Sequence, residues 1–374
     1  MTAPTFDVAV IGGGPAGLTA ALTAARAGAS IALFEPQGRG FDKPCGEGIL
    51  PRGVAVLERL GCLPEPASRR AFDGLEYWLR GRLRLELALD STAYAVERPA
   101  LLAAFWRELD LRRIRVVSAR ARVDEREDGH FRVSTPHGDS VRARVIVDAA
   151  GARGRADAMP APHASAVGRV GVRARARAAR AIERVEVHFG AEGEVYLTPL
   201  PCGRVNVAVL LHAHAVRARG ARALFDGALA LHPAARTVVG AIETEPEARA
   251  LRPHGLERAV RPAWFPCGDA AVAVDPILGA GVGAAVEGGE AAGLGALAVL
   301  DGADELAAVR SHHVWVRRAT ARARLVARGL VFLSQHAQLA DTIAGGLARV
   351  PAVGRACVRF ALAGPRRRPR FNAS

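Results

Sequence analysis

A glycine-rich turn near the start of the chain has the residue types and spacing that bind a dinucleotide pyrophosphate. Gly12, Gly14 and Gly17 fit the pattern G-x-G-x-x-G, between a predicted strand and a predicted helix. The first glycine permits the tight turn, the second lets the backbone approach the pyrophosphate, and the third allows close helix–strand packing. Pro15 and Ala16 begin the helix, whose free N–H groups and dipole favour an anion.

An acidic residue ends the second predicted strand. Glu35 stands where the dinucleotide fold places a carboxylate on the ribose hydroxyls. Because a negative charge there disfavours the 2′-phosphate of NADP, the turn and Glu35 together predict FAD or NAD. They do not choose between these two cofactors.

Two further segments are rich in glycine. Lys43 to Gly48 reads K-P-C-G-E-G, and its glycines let the backbone approach an aromatic ring system. Cys267 to Val282 reads C-G-D-A-A-V-A-V-D-P-I-L-G-A-G-V and ends in a glycine turn that precedes a predicted helix. The N-terminus of that helix favours a ligand with negative charge.

In this order, the segments resemble the flavoprotein superfamily of geranylgeranyl reductases, p-hydroxybenzoate hydroxylase-type (group A) monooxygenases and flavin-dependent halogenases. The resemblance covers roughly residues 5–290 and implies FAD, rather than NAD, as the bound cofactor. It places Asp269 on the ribityl chain. It also places Gly279, Gly281 and Val282 at the flavin N1/O2 edge, where reduced flavin carries negative charge.

The same resemblance implies further cofactor contacts. It places the loop with Cys45 and Gly46 beside the flavin ring and Arg98, in the segment V-E-R-P, near the phosphates. Val123 is expected beside the adenine, and Gly151, in the segment V-I-V-D-A-A-G-A-R, close to the cofactor. Cys45 is also a candidate redox or substrate-contacting thiol, with a small packing residue as the alternative.

The residues that choose the reaction depart from the family pattern. Tyr196-Leu197-Thr198-Pro199-Leu200-Pro201 is similar to the reductase segment Y-x-W-x-F-P, but Thr198 stands at the tryptophan position. The halogenase segment W-x-W-x-I-P does not occur, and Lys43 is the only lysine. Cys45 and Tyr196 are the candidate catalytic residues.

On this basis we favour a monooxygenase that hydroxylates a hydrophobic, aromatic or polyketide-like small molecule. The alternative is a reductase of C=C bonds in isoprenoid or other lipophilic substrates, and the Cys45 loop favours that alternative. A non-catalytic flavoprotein is the third interpretation. No second dinucleotide fingerprint occurs, so no dedicated NAD(P)H domain is expected. The resemblance implies NAD(P)H as a transient electron donor, with a separate reductase as the alternative.

The element pattern predicts an α/β fold. It consists of a Rossmann-like FAD-binding domain of the glutathione reductase type, an inserted antiparallel-sheet substrate domain, and C-terminal helices. We expect the FAD-binding domain at 1–75, 96–160 and 255–300, the substrate domain at 76–95 and 161–254, and a helical region with a basic tail at 301–374. Segment 115–125 is predicted as one strand, and 214–250 as mostly helical.

The formal net charge is +14, and nearly all of the positive charge is arginine scattered along the chain. This pattern and the few aromatic residues argue against a specific nucleic-acid site. Arg173, Arg175 and Arg177 alternate on a predicted strand and are expected on a solvated face, with a site for an acidic ligand as the alternative.

Cysteine usage and hydropathy bear on location. The chain has five cysteines and no C-x-x-C, so neither a disulfide framework nor a metal site is predicted, and a reducing cytoplasm is favoured. No membrane-spanning segment is predicted. Segment 325–362 is apolar but interrupted by arginines; it predicts a packed helix pair, and peripheral contact with a membrane surface stays open.

Overall fold

The computed structural model describes residues 3–112, 114–152, 168–216, 220–251, 254–256, 259–364, 368–369 and 371. The strands, in chain order, are β1 (Thr5–Ile11), β2 (Ile31–Phe34), β3 (Gly48–Ile49), β4 (Arg69–Leu79), β5 (Arg82–Val96), β6 (Arg115–Val117), β7 (Arg122–Glu127), β8 (His130–Ser134), β9 (Ser140–Asp148), β10 (Arg169–Ala178), β11 (Val185–Phe189), β12 (Gly193–Leu200), β13 (Arg204–His212), β14 (Val239–Ile242), β15 (Glu247–Leu251) and β16 (Trp264–Pro266). The helices are α1 (Pro15–Arg26), α2 (Pro51–Arg59), α3 (Arg98–Leu111), α4 (Ala221–Ala230), α5 (Pro233–Arg236), α6 (Gly281–Leu300), α7 (Glu305–Gln335), α8 (Ala337–Arg349) and α9 (Pro351–Leu362).

The first sheet has the strand order β6-β2-β1-β9-β8-β7, and β16 also pairs with β9. Strands β6, β2, β1, β9 and β16 pair in parallel with one another, while β8 pairs antiparallel with both β9 and β7. The central strand β1 is fully apolar over Val8–Ile11 and almost inaccessible to solvent. Burial explains this continuous run, since these residues lie in one core cluster with side chains of α1 and α6. The observed α/β class is the predicted one.

The second sheet has the order β14-β10-β13-β12-β11-β4-β5-β3, and β15 also pairs with β10. Its pairs are antiparallel except β11–β4, which is parallel. One face is packed against α4 and α5. The opposite face carries an apolar cluster against which Val358 and Leu362 of α9 pack.

Three segments differ from their predictions. Segment 115–125 is not one strand: β6 pairs with β2 at one edge of the first sheet, and β7 pairs with β8 at the other. Segment 214–250 is not mostly helical, because β14 and β15 both pair with β10, and this pairing overrides the Ala/Arg-rich composition. Strand β4 begins at Arg69, so the second sheet includes residues that we had assigned to the FAD-binding domain through position 75.

Helix α6 is the described helix that is long and apolar enough to cross a membrane by length and composition. Of its 18-residue apolar window, 61% is buried inside the structure. It packs against α1 so closely that a Cβ on Gly289 would lie 2.2 Å from the carbonyl oxygen of Ala16. This burial is that of a core helix.

The C-terminal region contains three helices, α7 to α9, where a pair was predicted. The long helix α7 begins at Asp304, whose side chain accepts a hydrogen bond from the Ala307 N–H at 2.7 Å. Helices α8 and α9 both lie against β5, at the edge of the second sheet.

Candidate cofactor and substrate site

The glycine turn between β1 and α1 admits no side chain at two of its three positions. Gly12 has φ +107°, and a Cβ there would lie 2.4 Å from the carbonyl oxygen of Ala149 at the end of β9. A Cβ on Gly17 would lie 1.9 Å from the carbonyl oxygen of Gly12. Gly14 instead faces open space, and the nearest atom to a Cβ there is Nη2 of Arg98 at 3.9 Å. The turn is therefore tight against the sheet and open on the side of Arg98.

The carboxylate of Glu35 is fixed against this turn. Its Oε2 accepts a hydrogen bond from the backbone N–H of Gly13 at 2.7 Å, and its Oε1 accepts one from Gln37 at 2.7 Å. Glu35 follows the last residue of β2, so the parallel pairing of β1 and β2 places it beside the glycines. This is the position that the sequence predicted.

Arg98 contributes a buried positive charge to the same opening. Its backbone N–H donates to Oε1 of Glu47 at 3.1 Å, and the residue is 6% exposed. Its Nε is buried and makes no hydrogen bond within the protein. A guanidinium with an unused donor beside an open glycine is suited to a phosphate oxygen.

A second glycine turn lies across the opening. Gly268 has φ +58°, and a Cβ there would lie 2.8 Å from Cβ of Ala16, in the first turn of α1. The next residue, Asp269, is exposed and lies close to this turn. Helix α6 begins at Gly281 without a side-chain cap, and Gly279 (φ +65°) and Gly281 have open space around them. The uncapped first turn of α6 can donate to a negatively charged group.

The loop with Cys45 is held under the second sheet by polar side chains. Asn206 Nδ2 donates to the carbonyl oxygen of Cys45 at 3.0 Å, and Thr198 Oγ1 donates to that of Gly46 at 2.9 Å. The Sγ of Cys45 accepts a hydrogen bond from the Glu47 N–H at 3.4 Å. Thr198, which replaces the family tryptophan, thus anchors this loop.

Lys43 connects the separate segments of the site. Burial lowers the pKa of its ammonium group, the positive charge of Arg98 lowers it further, and Asp269 opposes the shift. Cys45, like Asp269, opposes the lowering of the Lys43 pKa. Residues from β2–β3, α3 and the turn after β16 therefore converge on one position.

Strand β10 contradicts the expectation of a solvated face. Arg173 and Arg175 are 2% and 6% exposed. Arg173 binds Asp42 at 2.8 Å and donates to the carbonyl oxygen of Lys43 at 3.3 Å. Arg175 binds Glu47, and also Asp42 at 3.0 Å. They are buried because their partners are carboxylates of the Cys45 loop.

The other two arginines of this strand have different environments. Arg177 is the exposed member, with an ion pair to Glu243 at 2.6 Å. Arg169, which we had not singled out, is 1% exposed and binds Asp275 at 2.9 Å as well as Glu194. Strand β10 thus binds the Cys45 loop through Arg173 and Arg175, and the loop that precedes α6 through Arg169.

Tyr196 lies at the same junction. Its hydroxyl donates to the carbonyl oxygen of Ile277 at 2.8 Å, and burial raises its pKa well above the ordinary value. In this position the phenol ties the second sheet to the loop before α6. A catalytic role for Tyr196 stays a prediction.

Other predicted cofactor contacts lie around the opening without a partner that defines their role. Pro15 and Ala16 are buried in the first turn of α1, Gly151 has φ +76° just after β9, and Val282 is half-buried in α6. Val123 is 5% exposed in β7, and its place beside the adenine stays a prediction. Arg153, the last residue of its matched segment, lies outside the described residues.

The second sheet presents an apolar wall next to these polar groups. Leu75, Leu87, Val187 and Leu210 lie in one buried cluster with Tyr196. Ile277 and Leu278, in the loop before α6, pack with α7 and α9. Val358 and Leu362 of α9 pack against this wall.

Comparison with known proteins assigns the chain to a family. A family model described as FAD dependent oxidoreductase matches residues 7–40. The chain is 32% identical over 314 residues to a menaquinone reductase of Mycolicibacterium smegmatis, covering 76% of this chain and 75% of that protein. This chain belongs to the FAD-dependent oxidoreductases.

Two further similarities qualify this assignment. Over 80 residues the oxidoreductase is 48% identical to the 6-methylpretetramide 4-monooxygenase of Streptomyces rimosus, covering 20% of this chain and 19% of that protein. A solved geranylgeranyl bacteriochlorophyll reductase-like protein from Thermoplasma acidophilum superposes with a TM-score of 0.78 over 97% of this chain and 96% of that chain. At 19% identity, this match shows the shared fold.

The residues around the opening fit FAD. The open turn at Gly14 and the unused Nε of Arg98 suit the pyrophosphate, and Glu35 suits the adenosine ribose. The exposed Asp269 suits the ribityl hydroxyls, and the uncapped start of α6 suits the electron-rich edge of the flavin. Sequence reasoning missed Asp42, Glu47 and Arg169. The signal was present in the alternating arginines and in the two acids of the Cys45 loop.

Proposed function

We propose that this oxidoreductase reduces a carbon–carbon double bond of a lipophilic, isoprenoid-type substrate. The observation that carries the proposal is the position of the Cys45 loop, anchored by Asn206 and Thr198 beneath the apolar wall. A thiol and an ammonium group, from Cys45 and Lys43, lie there next to hydrophobic surface. The similarity over three quarters of the chain to a protein named menaquinone reductase supports the same reaction class.

The chemistry requires a hydride and a proton on adjacent carbons. FAD, when bound and reduced, supplies the hydride. The protein has to orient the double bond and deliver the proton to the second carbon, and Cys45 is the proposed donor. Lys43, whose pKa burial lowers, is the neighbouring group that can return a proton to the thiol. NAD(P)H is the proposed external two-electron donor.

The test is anaerobic turnover of the FAD-loaded protein with NAD(P)H and a menaquinone that has a fully unsaturated prenyl chain. The extract is exposed to air before mass spectrometry, because air reverses reduction of the quinone ring but not of the chain. A product 2 Da heavier after air supports the proposal. No lasting mass change with any lipophilic alkene, from a protein whose flavin is reduced, would contradict it.

A pair of cysteine variants tests the role of the loop. We expect Cys45→Ser to keep FAD binding and flavin reduction but to slow product formation by roughly a hundredfold, in the range of lost general acid catalysis. The matched control is Cys202→Ser, since Cys202 is an exposed cysteine. Equal turnover in the two variants would remove Cys45 from the reaction.

Oxygenation, which the sequence analysis favoured, is the second candidate. It is supported by Thr198 at the reductase tryptophan position and by the local similarity to a protein named as a monooxygenase. Turnover in air with an aromatic or polyketide-like substrate separates the two, because hydroxylation requires O₂ and adds 16 Da to that substrate.

A further inference from the structure

Helices α8 and α9 carry apolar side chains on the face directed away from the protein. Of the eleven exposed large hydrophobic side chains in the described part of the chain, seven lie between Leu325 and Phe360. On α8, Leu339 and Ile343 are one turn apart, and Val350, which lies between α8 and α9, is also exposed. Val353 and Phe360 are two turns apart on α9, and the guanidinium of Arg322 on α7 lies 4.9 Å from the centre of the Phe360 ring. We call Leu339, Ile343, Val350, Val353 and Phe360 the outer stripe.

The opposite faces of both helices are already occupied. Asp341 of α8 binds Arg80, at the turn between β4 and β5, at 2.7 Å. On α9, a Cβ at Gly354 would lie 3.1 Å from Cδ1 of Leu85, and Val358 and Leu362 join the cluster of the second sheet. Because both helices rest on the same strand, β5, the outer stripe faces away from the sheet.

The charge around the outer stripe is mostly positive, although Arg359 pairs with Asp90 of β5 at 3.4 Å and Arg368 pairs with Glu290 of α6 at 3.2 Å. Segment 337–362 contains three arginines, Arg349, Arg355 and Arg359, and its single acid, Asp341, is used in the ion pair with Arg80. The sequence that follows, P-R-R-R-P-R, adds four more arginines. Apolar side chains flanked by arginines match the interface of a bilayer, where acyl chains lie beneath anionic headgroups.

We propose that the outer stripe docks this oxidoreductase onto an anionic lipid bilayer. The stripe enters the headgroup region, and the arginines bind lipid phosphates. Docking does not depend on whether the bound flavin reduces or oxygenates the substrate. Since α9 also packs on the apolar wall of the site, docking places the lipid surface next to the element that closes this wall.

The experiment is flotation of the FAD-loaded full chain with vesicles in the absence of substrate. One set of vesicles contains phosphatidylcholine alone, and the other contains phosphatidylcholine with phosphatidylglycerol. We expect binding to the anionic vesicles to be at least about tenfold stronger, and to weaken with added salt.

Two variants separate the outer stripe from general attraction of a basic protein. Ile343→Gln/Val353→Gln/Phe360→Gln leaves the net charge unchanged and should lower binding to anionic vesicles by about tenfold or more. The matched control is Leu111→Gln/Leu231→Gln, whose side chains are 71% and 56% exposed elsewhere; it should bind as the unmodified chain does. Flavin absorbance and melting temperature verify that each variant is folded.

Three results would overturn the proposal. The first is no binding of the unmodified chain to either vesicle. The second is equal binding by the triple variant and the unmodified chain, which assigns the attraction to net charge. The third is that the unmodified chain is a dimer that does not bind vesicles, whereas the triple variant is a monomer. That result would make the outer stripe an interface between two copies of the chain.

Discussion

Glu35 uses both of its oxygens on backbone N–H groups, those of Gly13 and Gln37. The carboxylate is therefore held in one orientation at the edge of the glycine turn. An acceptor that is already oriented loses little conformational entropy when a ribose binds beside it. This explains why one residue at the end of β2 can favour a dinucleotide with free ribose hydroxyls.

We expect Glu35→Ala to raise the Kd for FAD by about tenfold to a hundredfold, because hydrogen bonds to a charged group contribute about 1.5–3 kcal/mol each. Titration of the apoprotein with FAD, followed by flavin fluorescence, measures the change. Glu125→Ala, at an exposed position of β7, is the control and should bind FAD as the unmodified chain does. If the two variants had the same Kd, Glu35 would have no part in the cofactor site.

At the scale of elements, the arginines of β10 lie in two different environments, one buried and one exposed. Arg169, Arg173 and Arg175 lie on one face and bind carboxylates of two loops of the site. Arg177, two residues further on, lies in solvent. A buried arginine with carboxylate partners cannot be removed alone without leaving those charges uncompensated, whereas an exposed pair contributes little.

Arg175→Met should therefore lower the free energy of unfolding by about 3–5 kcal/mol, since Glu47 would remain buried without its partner. Arg177→Met on the same strand should change it by less than about 1 kcal/mol. Urea unfolding followed by circular dichroism measures both. Similar losses for the two variants would mean that the Arg175 ion pairs do not hold the Cys45 loop.

The glycine turns, Glu35 and the helix at Gly281 could be predicted from the sequence, because each depends on residues that are close together in the chain. The burial of Arg173 and Arg175 could not, because alternation on a strand shows which residues share a face but not what covers that face. Their partners, Asp42 and Glu47, are about 130 positions away, in the loop between β2 and β3. Strands β14 and β15 were missed for the same reason: only pairing with β10 makes them extended.

At the scale of the whole molecule, α7 is attached to both sheets through histidines. Nε2 of His312 lies 2.8 Å from the carbonyl oxygen of Pro266 in the first sheet. Ser334, near the other end of α7, lies 3.0 Å from Nε2 of His212 in the second sheet. Burial lowers the pKa of both His312 and His212 from 6.5 to about 4.

We expect the melting temperature to fall as the pH drops from about 6.5 to 4. In this range the unfolded chain binds protons at these histidines and the folded chain does not, so stability is lost at about 1.4 kcal/mol per pH unit for each histidine. His312→Gln keeps an N–H donor and should flatten this dependence, measured by calorimetry across the range. His137→Gln, at an exposed position, is the control; a slope in His312→Gln as steep as in the control would exclude this role.

The order of elements, the α/β class and the existence of an inserted sheet followed from the sequence because alternation and glycine turns recur along the chain. The packing of α7 to α9 could not be predicted from the sequence, because their apolar residues are compatible both with burial in the protein and with a lipid surface. The structure shows both environments on α9, where Val358 and Leu362 pack against the second sheet while Val353 and Phe360 are exposed.

The ion pairs of β10 have a consequence for the order of events during synthesis. Arg175 reaches back 128 positions to Glu47, and Arg169 reaches forward 106 positions to Asp275. Both contacts close very long loops, and closing such a loop costs conformational entropy. We therefore expect them to form only after local structure has ordered much of the chain. A ribosome must therefore have released the chain past α6 before the FAD site is complete. A fragment ending before Asp275 should fold its first β-α-β unit yet remain colourless.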